Sequence, residues 1–240
     1  MAMVVLGASG GLGRALTLEL RRQFPDERII ALSRQPETGQ SSSGDMIYYQ
    51  VKDYDEDSLR AWVNEFQGSG EKLTGVVSAI GILHDEQTFP EKKLADITAE
   101  NLTKLFSVNA IKPLLALKAF RPIIDKKATK FWVQLSAKVG SIEENYLGGW
   151  YAYRSSKAAL NMLLKTASIE LRRTHKNLVV AAIHPGTTDT ALSEPFQGRI
   201  AANKLYSPEQ SAERIIAVIK SLKPEQSGGF WHWDGTPLPY

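Results

Sequence analysis

A tyrosine and a lysine one helical turn apart form the most reactive pair of side chains in the sequence. Tyr153 and Lys157 lie four residues apart in a stretch of helical period, so their side chains share one face. A nearby ammonium favours the phenolate and lowers a phenol pKa of about 10, which makes a tyrosine usable as an acid or base. Tyr48 and Lys52 have the same spacing within a predicted strand, where they would lie too far apart to interact. For either pair, an exposed tyrosine beside a solvated lysine is the alternative.

A glycine-rich turn near the N-terminus could hold a phosphate. The first predicted strand runs into this turn, and a helix begins within it. Glycines let a ligand approach the backbone, and the N–H groups and positive dipole end of the helix favour an anion. The spacing Gly-x₃-Gly-x-Gly departs from the dinucleotide fingerprint, and a tight turn without a ligand is the alternative. The position after an N-terminal strand favours a ligand. The predicted contacts are Gly7, Ser9, Gly10, Gly11, Leu12 and Gly13.

The second and third predicted strands end in residues suited to the other half of such a ligand. An NAD site presents a carboxylate to the ribose 2′-hydroxyl roughly 20 residues after the glycines. Ser33 and Arg34 stand there instead, and a hydroxyl and a guanidinium suit a 2′-phosphate. We therefore expect NADP(H) rather than NAD(H), although a solvated surface arginine would look the same. Asp53, followed by Tyr54, could accept from the adenine amino group or merely precede a helix N-cap.

A single amide lies on the apolar face of the helix that begins near Thr98. Asn109 shares that face with Leu105 and Phe106, where an amide would not be chosen for packing. Pro113 has no N–H, so the carbonyl of Asn109 loses its helical partner and could hold a water. A proline kink with a hydrogen-bonded core asparagine explains the same residues, and from these residues alone it is the better explanation.

Short apolar runs alternate with longer stretches of helical period throughout the chain. This pattern predicts an α/β fold, a doubly wound parallel sheet of seven strands with helices on both faces. The predicted strands are Met3–Leu6, Arg28–Leu32, Met46–Val51, Gly75–Ile80, Lys130–Leu135, Leu178–Ile183 and Gly229–Trp233. Ser207-Pro208-Glu209-Gln210 predicts a capped helix start. We find no internal repeat or linker, so residues 1–240 are expected to form one domain.

Composition excludes several function classes. The 240 residues carry 29 Lys and Arg against 26 Asp and Glu, a net charge of +3, and the basic residues are dispersed, which argues against nucleic-acid binding. No apolar run approaches the roughly 18 residues of a membrane span, and no secretory leader is recognised, so a cytoplasmic location is expected. The absence of cysteine excludes disulfides, zinc–thiolate sites and thiol nucleophiles. We predict no metal site.

Two long segments follow predicted strands, where ligand-binding loops of such folds lie. They are His84–Ile97 and Thr187–Tyr206. Their apolar residues, Phe89, Leu192, Phe196 and Tyr206, suggest a partly apolar ligand. Gln35–Gly44 is polar and is predicted to be a surface turn.

The remaining polar and aromatic candidates are more ambiguous. Trp150, Tyr151 and Tyr146 could line a substrate pocket, but interface or core packing fits them equally well. His184 could act as a base, but the sequence lacks a Ser–His–Asp order or a Gly-x-Ser-x-Gly elbow, so a structural histidine is expected.

Taken together, these residues resemble the short-chain dehydrogenase/reductase family over essentially the whole chain. The family's glycine motif corresponds to Gly7, Gly11 and Gly13, its Tyr-x-x-x-Lys motif to Tyr153 and Lys157, its helical asparagine to Asn109, and its proline-glycine segment to Pro185-Gly186-Thr187-Thr188-Asp189-Thr190. Residues 136–142, 148–154 and 230–235 resemble more narrowly the branch of the C-factor signalling proteins and sniffer-type carbonyl reductases.

The resemblance implies a Rossmann-type fold and an oxidoreductase that moves hydride between NADP(H) and a carbonyl or alcohol. By resemblance, Tyr153 exchanges a proton with the substrate oxygen, Lys157 also holds the nicotinamide ribose, Ser136 hydrogen-bonds the carbonyl, and the Asn109 carbonyl seats a relay water. The proline-glycine segment, with Pro185, Gly186, Thr188 and Thr190, would hold the nicotinamide and its phosphate. The family likeness also implies a homodimer or homotetramer that pairs the helices of Asn109 and Tyr153.

Two departures from the family pattern concern the site itself. The Asn-Asn-Ala-Gly segment, whose cofactor contacts would be Ala79, Ile80 and Gly81, reads Ser78-Ala79-Ile80-Gly81 and keeps only its last glycine. The usual Ser-x-x-Gly serine falls on Ala137, and Ser136 is one residue early, which reverses a side chain on a regular strand. Ser136 could still point into the site if the strand ends early, Ser141 could replace it, or the site has no serine. We favour Ser136.

A catalytically idle NADP(H)-binding signalling or regulatory protein is the main competing hypothesis. The serine mismatch supports it, whereas the intact Tyr153, Lys157 and Asn109 weigh against it. A sugar-nucleotide epimerase or dehydratase shares the Tyr–Lys pair but also needs a substrate domain. Few residues follow the seventh predicted strand, so this hypothesis is disfavoured. The physiological substrate and its stereochemistry do not follow from these residues.

Overall fold

Seven strands lie side by side in one parallel sheet, in a computed structural model that describes residues 1–35, 46–127 and 130–240. In chain order, the strands are β1 (Ala2–Leu6), β2 (Arg28–Ser33), β3 (Met46–Gln50), β4 (Leu73–Ser78), β5 (Phe131–Leu135), β6 (Val179–His184), β7 (Thr187–Thr188), β8 (Leu205–Tyr206) and β9 (Gly229–His232). The sheet order is β3-β2-β1-β4-β5-β6-β9, and β7 pairs separately with β8. Every predicted strand is present, with ends moved by at most two residues.

The sheet is covered by helices on both faces, as predicted. They are α1 (Gly11–Gln23), α2 (Glu56–Gly68), α3 (Ala99–Phe106), α4 (Lys112–Phe120), α5 (Tyr151–Leu171) and α6 (Pro208–Ser221). Alternate residues of β1 serve the two faces: Val4 packs in the core with α2, α4 and α5, and Val5 packs in the core with α1 and α6. The five central strands, β1, β2, β4, β5 and β6, are buried on both faces and therefore read as nearly continuous apolar runs. The doubly wound α/β fold is confirmed.

Side-chain caps set several helix starts. Ser207 accepts from the Gln210 backbone N–H and Gln210 reciprocates, so the predicted capping box opens α6. The Thr98 hydroxyl accepts from the Asn101 N–H and caps α3, so this helix begins where the sequence predicted. Asp55 caps α2, two residues after Asp53. Between α3 and α4 the helix widens into a π-turn at Ser107–Ile111, so the kink expected near Pro113 takes this form.

The chain reverses its direction of sheet growth between β1 and β4. From β1 it builds outward through β2 and β3, and it then returns to place β4 on the other side of β1. The carboxyl ends of β1 and β4 therefore form the crevice in which open α/β sheets bind ligands.

Two further expectations concern the chain as described. Within residues 1–35, 46–127 and 130–240, no helix is long and apolar enough to cross a bilayer. In the same ranges no group of three or more histidines or carboxylates could hold a metal ion. The polar turn predicted over Gln35–Gly44 lies, apart from Gln35, outside the described residues.

Candidate active site

The glycine-rich turn after β1 is closed against itself. A Cβ at Gly13 would lie 2.1 Å from the Gly7 carbonyl oxygen, and Gly7 itself has a φ of +78°. Among the described residues, no side chain caps α1 at Gly10. The first N–H groups of this helix are therefore not occupied by a side-chain cap. The Gly7 N–H donates to the Tyr54 hydroxyl at 2.9 Å, and that hydroxyl donates to the Leu32 carbonyl. The turn is a backbone cradle of the kind that suits a phosphate.

Two other segments meet this cradle. A Cβ at Gly11 would lie 3.1 Å from the Thr190 methyl carbon, and a Cβ at Gly7 would lie 3.1 Å from the carbonyl carbon of Ala79. Residues that follow β6 and β4 in sequence thus touch the turn that follows β1. The structure brings the predicted glycine, Ala79–Gly81 and Pro185–Thr190 contacts together at one edge of the sheet.

The ends of β2 and β3 carry the predicted adenosine contacts. Ser33 is buried and donates to the Gln35 carbonyl, whereas Arg34 is exposed at the strand end. Burial raises the pKa of Asp53, but hydrogen bonds from Lys112 and the Tyr54 N–H outweigh it, so the net pKa is lowered. Lys112 Nζ lies 2.6 and 2.8 Å from the two carboxylate oxygens.

Lys112 was not anticipated from the sequence, although a lysine inside the apolar run after Asn109 was a visible signal. Burial also raises the pKa of Tyr54 to about 12, so its hydroxyl stays protonated as a support for the glycine turn.

Tyr153 and Lys157 lie on one face of α5, and both are buried, with 7% and 4% of their surface exposed. Lys157 Nζ lies 5.8 Å from the Tyr153 ring centroid and donates to the Leu135 carbonyl at 3.1 Å. Burial raises the pKa of Tyr153 above its ordinary value and lowers that of Lys157 to about 8. The prediction that the pKa of Tyr153 is lowered is therefore wrong, because burial disfavours the charged phenolate more than Lys157 favours it.

Asn109 links α5 to the loop after β4. It is fully buried in the π-turn; its Oδ1 accepts from the Ile82 N–H at 2.7 Å, and its Nδ2 donates to the Ile82 carbonyl and to Ser156 Oγ. Ser156 lies between Tyr153 and Lys157 in sequence, so the amide fixes the helix at that point. A Cβ at Gly81 would lie 3.2 Å from Lys157 Nζ and 3.5 Å from Asn109 Oδ1. Asn109 is thus a hydrogen-bonded core asparagine, as the sequence predicted, and it also lies beside the predicted site residues Gly81 and Lys157.

Ser136 does not face Tyr153, so the preference for it is corrected. Its Oγ donates to Asn161 Oδ1 at 2.7 Å, two helical turns beyond Tyr153 on α5. The chain stays extended through Ala137, so Ser136 continues the strand alternation and meets the middle of α5. Ala137 instead packs in the apolar cluster that contains Tyr153. Ser141 accepts from the Glu144 N–H and is buried, so of the three options, a site without a serine fits best.

Aromatic rings from three segments form a cluster beside Tyr153. The Trp150 ring centroid lies 6.2 Å from that of Tyr153 and 5.0 Å from that of Phe196. His84 lies 5.5 Å from Phe196 and 5.4 Å from Phe89. Trp150 has a left-handed backbone, φ 53° and ψ 43°, which a bulky side chain rarely adopts. Phe196 of the second long segment packs on the cluster that contains Tyr153, and His84 and Phe89 of the first segment contact Phe196.

The other aromatic candidates lie elsewhere. Tyr146 is 85% exposed, and Tyr206 stacks on Arg214. Burial, and then the charge of His232, lowers the pKa of His184 to about 3. A histidine that stays neutral at pH 7 is consistent with a structural role.

Glu91 is a positioning residue that the sequence did not reveal. Its carboxylate is buried, accepts from the Ala152 N–H at 3.2 Å, and accepts from Asn101 Nδ2 at 2.7 Å. Its carbonyl accepts from the Trp150 N–H at 2.6 Å. A carboxylate at the N-terminus of α5 is favourable for the helix dipole and fixes the turn that carries Tyr153.

Comparison with known proteins agrees with this geometry. Residues 1–199 match the family described as short chain dehydrogenase. The C-signal protein of Myxococcus xanthus is 33% identical over 147 residues, which cover 61% of this chain and 83% of that protein. The carbonyl reductase Sniffer of D. melanogaster superposes with a TM-score of 0.85 at 22% identity, over 100% of this chain and 99% of that one.

A second solved structure has the same fold. An NADPH-bound carbonyl reductase from chicken fatty liver gives a TM-score of 0.87 at 22% identity, over 100% of this chain and 94% of its own. The resemblance to the C-factor and sniffer-type branch is thereby confirmed. With the family match over most of its length, the chain belongs to the short chain dehydrogenase family.

Proposed function

We propose that the protein is an NADP(H)-dependent carbonyl reductase or alcohol dehydrogenase in which Tyr153 transfers the proton. The observation that carries the proposal is the buried Tyr153–Lys157 pair beside Asn109 and Gly81, at the sheet edge where the glycine cradle also opens. The family contains oxidoreductases, and these residues have the chemistry that hydride transfer requires beside it: a proton donor, a cation and a dry environment.

The cradle fits a dinucleotide. Its glycines leave no room for a Cβ, as a pyrophosphate lying against backbone N–H groups requires. Ser33 and Arg34 would hold the 2′-phosphate and Asp53 the adenine, and Lys157 with the Pro185–Thr190 segment would hold the nicotinamide riboside. The chicken protein, which has the same fold, binds NADPH, and this supports NADP(H) here. When bound, the cofactor supplies the hydride to the carbonyl carbon or accepts it from the alcohol.

Tyr153 would donate its proton to the carbonyl oxygen as negative charge develops there. Its raised pKa keeps the phenol protonated at neutral pH, which favours the reductive direction. Lys157 is charged below about pH 8 and stabilises the phenolate that forms. The Asn109 carbonyl would seat a water that returns a proton to the site. Since Ala137 stands where the family has a serine, Tyr153 would be the side chain that donates to the substrate oxygen.

NADPH consumption by the purified protein against a panel of aldehydes, ketones and diketones tests the proposal, with Tyr153→Phe in parallel. We expect turnover that falls at least about 100-fold in the variant, while NADPH binding stays within about twofold of wild type. Turnover that survives in Tyr153→Phe would contradict the role of the tyrosine.

The competing function, an idle NADP(H)-binding regulatory protein, has one specific observation in its favour. Ala137 removes a hydroxyl from the oxygen-binding position, and Phe196 and Trp150 pack close over Tyr153. NADPH binding with no turnover across the whole panel would favour this function.

We also infer a homodimer or homotetramer built on the outer faces of the helices that contain Asn109 and Tyr153. Apolar side chains on these faces are exposed: Ile111, Met162 and Ile169. Such side chains are common at subunit interfaces. Sedimentation at micromolar concentration is expected to show at least a dimer, and a monomer would contradict the inference.

A cytoplasmic location is proposed from composition. The chain has no cysteine, which fits a reducing compartment. Fractionation of the native cells is expected to find the protein with the cytoplasmic markers.

A further inference from the structure

An arginine packs against two adjacent aromatic rings at the edge of the candidate site. The Arg214 guanidinium carbon lies 3.9 Å from the Tyr206 ring centroid and 4.2 Å from that of Trp233. The two rings are themselves 5.2 Å apart, tilted by 58°. Among the described residues, Nη1 of Arg214 is buried without a hydrogen-bond partner. The two rings are therefore the partners on which this side of the guanidinium rests.

Both rings press on the segment that would hold the nicotinamide. Gly186 has a φ of +80°, and a Cβ there would lie 2.9 Å from Trp233 Cδ1 and 3.3 Å from Tyr206 Cδ2. The backbone of this segment is thus packed directly against the two rings that Arg214 contacts. A shift of either ring would move the backbone at Gly186.

The same segment is tied to Tyr206 and α6 by hydrogen bonds. Thr188 pairs with Tyr206 in the small β7–β8 sheet, and the Asp189 N–H donates to the Tyr206 carbonyl at 2.8 Å. Thr188 Oγ1 lies 2.8 Å from Oγ of Ser211, one turn before Arg214 on α6. Helix α6 therefore grips residues 186–189 at two points, through a hydroxyl pair and through the stacked arginine.

We propose that Arg214 is a positioning residue for the nicotinamide end of the cofactor site. Its guanidinium fixes the rings of Tyr206 and Trp233, and these fix the backbone of residues 186–189. The inference rests on the proposed function for the identity of the ligand. It adds a residue that lies outside the glycine turn, the Tyr–Lys pair and the proline-glycine segment.

Binding of two nucleotides that differ in the nicotinamide half provides the test. NADPH reaches both ends of the site, whereas adenosine 2′,5′-bisphosphate has the adenine and 2′-phosphate but no nicotinamide. Their affinities are measured by titration calorimetry for wild type, Arg214→Met, Arg214→Lys and the control Arg60→Met, which changes an exposed arginine on α2. Thermal unfolding of each variant accompanies the titrations.

We expect Arg214→Met to weaken NADPH about tenfold and the bisphosphate by less than twofold. Arg214→Lys keeps the charge without the planar stack and should give an intermediate loss for NADPH alone. Arg60→Met should change neither affinity. If Arg214→Met does not fold, the ratio of the two affinities in Arg214→Lys decides: a threefold or larger change supports the proposal.

Equal weakening of both nucleotides, or unchanged NADPH binding, would overturn the positioning role. A wild-type protein that binds neither nucleotide would overturn this role together with the proposed cofactor. Absence of carbonyl turnover in a protein that shows the expected binding pattern would contradict the proposed activity alone.

Discussion

The two ends of the candidate site are built differently. The phosphate end consists of backbone: a Cβ at Gly13 would overlap the Gly7 carbonyl, and one at Gly11 would press on Thr190. The catalytic end consists of side chains: Tyr153 shares an apolar cluster with Ala137, and the rings of Trp150 and Phe196 pack against that cluster. Backbone geometry leaves little freedom for substitution, whereas side chains can be exchanged without loss of the fold. The serine missing from the family pattern is accordingly a side chain of the catalytic end, whereas the glycines of the turn are kept.

The largest effect is expected at the backbone end. Gly13→Ala places a Cβ 2.1 Å from the Gly7 oxygen, so the turn must open and NADPH affinity should fall at least about 100-fold, with a lower Tm. Gly68→Ala is the matched control, because a Cβ there meets no atom within 4 Å. Calorimetry and thermal unfolding measure both. If Gly13→Ala binds NADPH as wild type does, the turn is not a rigid cradle.

At the catalytic end, function and stability should move in opposite directions. Lys157→Met should reduce turnover about 100-fold or more and raise the free energy of unfolding at pH 7 by about 2 kcal/mol. The charged amine of wild type is buried with a pKa of about 8, and holding it charged costs about 3 kcal/mol, partly offset by its hydrogen bond to Leu135 of about 1 kcal/mol.

The pH dependence supplies the check on that variant. The pKa of Lys157 is about 8 in the folded protein and 10.5 in the unfolded chain. Below pH 8 the folded wild type therefore carries the whole free-energy cost of burying the charged amine, and this cost disappears as the pH rises towards 10.5. The stability difference between Lys157→Met and wild type, measured by denaturant unfolding, should therefore be largest near neutral pH and fall by about 3 kcal/mol by pH 10.5. There the hydrogen bond to Leu135 should leave wild type slightly the more stable. A constant difference would show that packing, and not charge burial, is its cause.

Restoring a hydroxyl beside the tyrosine tests whether the catalytic end is merely incomplete. Ala137→Ser should raise kcat for carbonyl reduction about 10-fold, because a second donor would reach the developing oxyanion. Ser136→Ala is the control and should leave kcat within about twofold, since Ser136 bonds Asn161. The reverse result, with Ser136→Ala inactive, would restore Ser136 as the donor.

The smallest effect is expected from an exposed side chain at the adenosine end. Arg34→Ala should weaken NADPH by about tenfold and leave NADH within about twofold, because only the former has a 2′-phosphate. Equal weakening of the two cofactors in parallel titrations would remove Arg34 from the phosphate site.

The sequence predicted what local pattern determines. All seven strands were found: the five central ones are apolar runs because both of their faces are buried, and the two edge strands are rich in aromatic or β-branched residues. The start of α6 was found because its capping box involves four consecutive residues. The glycine turn and the Tyr153–Lys157 spacing are likewise local.

Contacts between distant segments were not predictable in this way. The orientation of Ser136 depends on whether the chain stays extended past β5, and the pKa of Tyr153 depends on how deeply other segments bury it. Glu91 reaches Ala152 across 61 residues, and Lys112 reaches Asp53 across 59. No spacing rule signals such pairs.

The left-handed backbone of Trp150 continues a run, since Gly148 and Gly149 also have positive φ values of 65° and 63°. Three consecutive residues with positive φ thus lie directly before α5, whose own backbone is right-handed. A helix cannot propagate through a reversal of handedness. The first turn of a helix commonly frays. The positive φ of Trp150 prevents α5 from beginning any earlier than Tyr151. Tyr153, the third residue of α5, therefore lies in a first turn whose start is fixed.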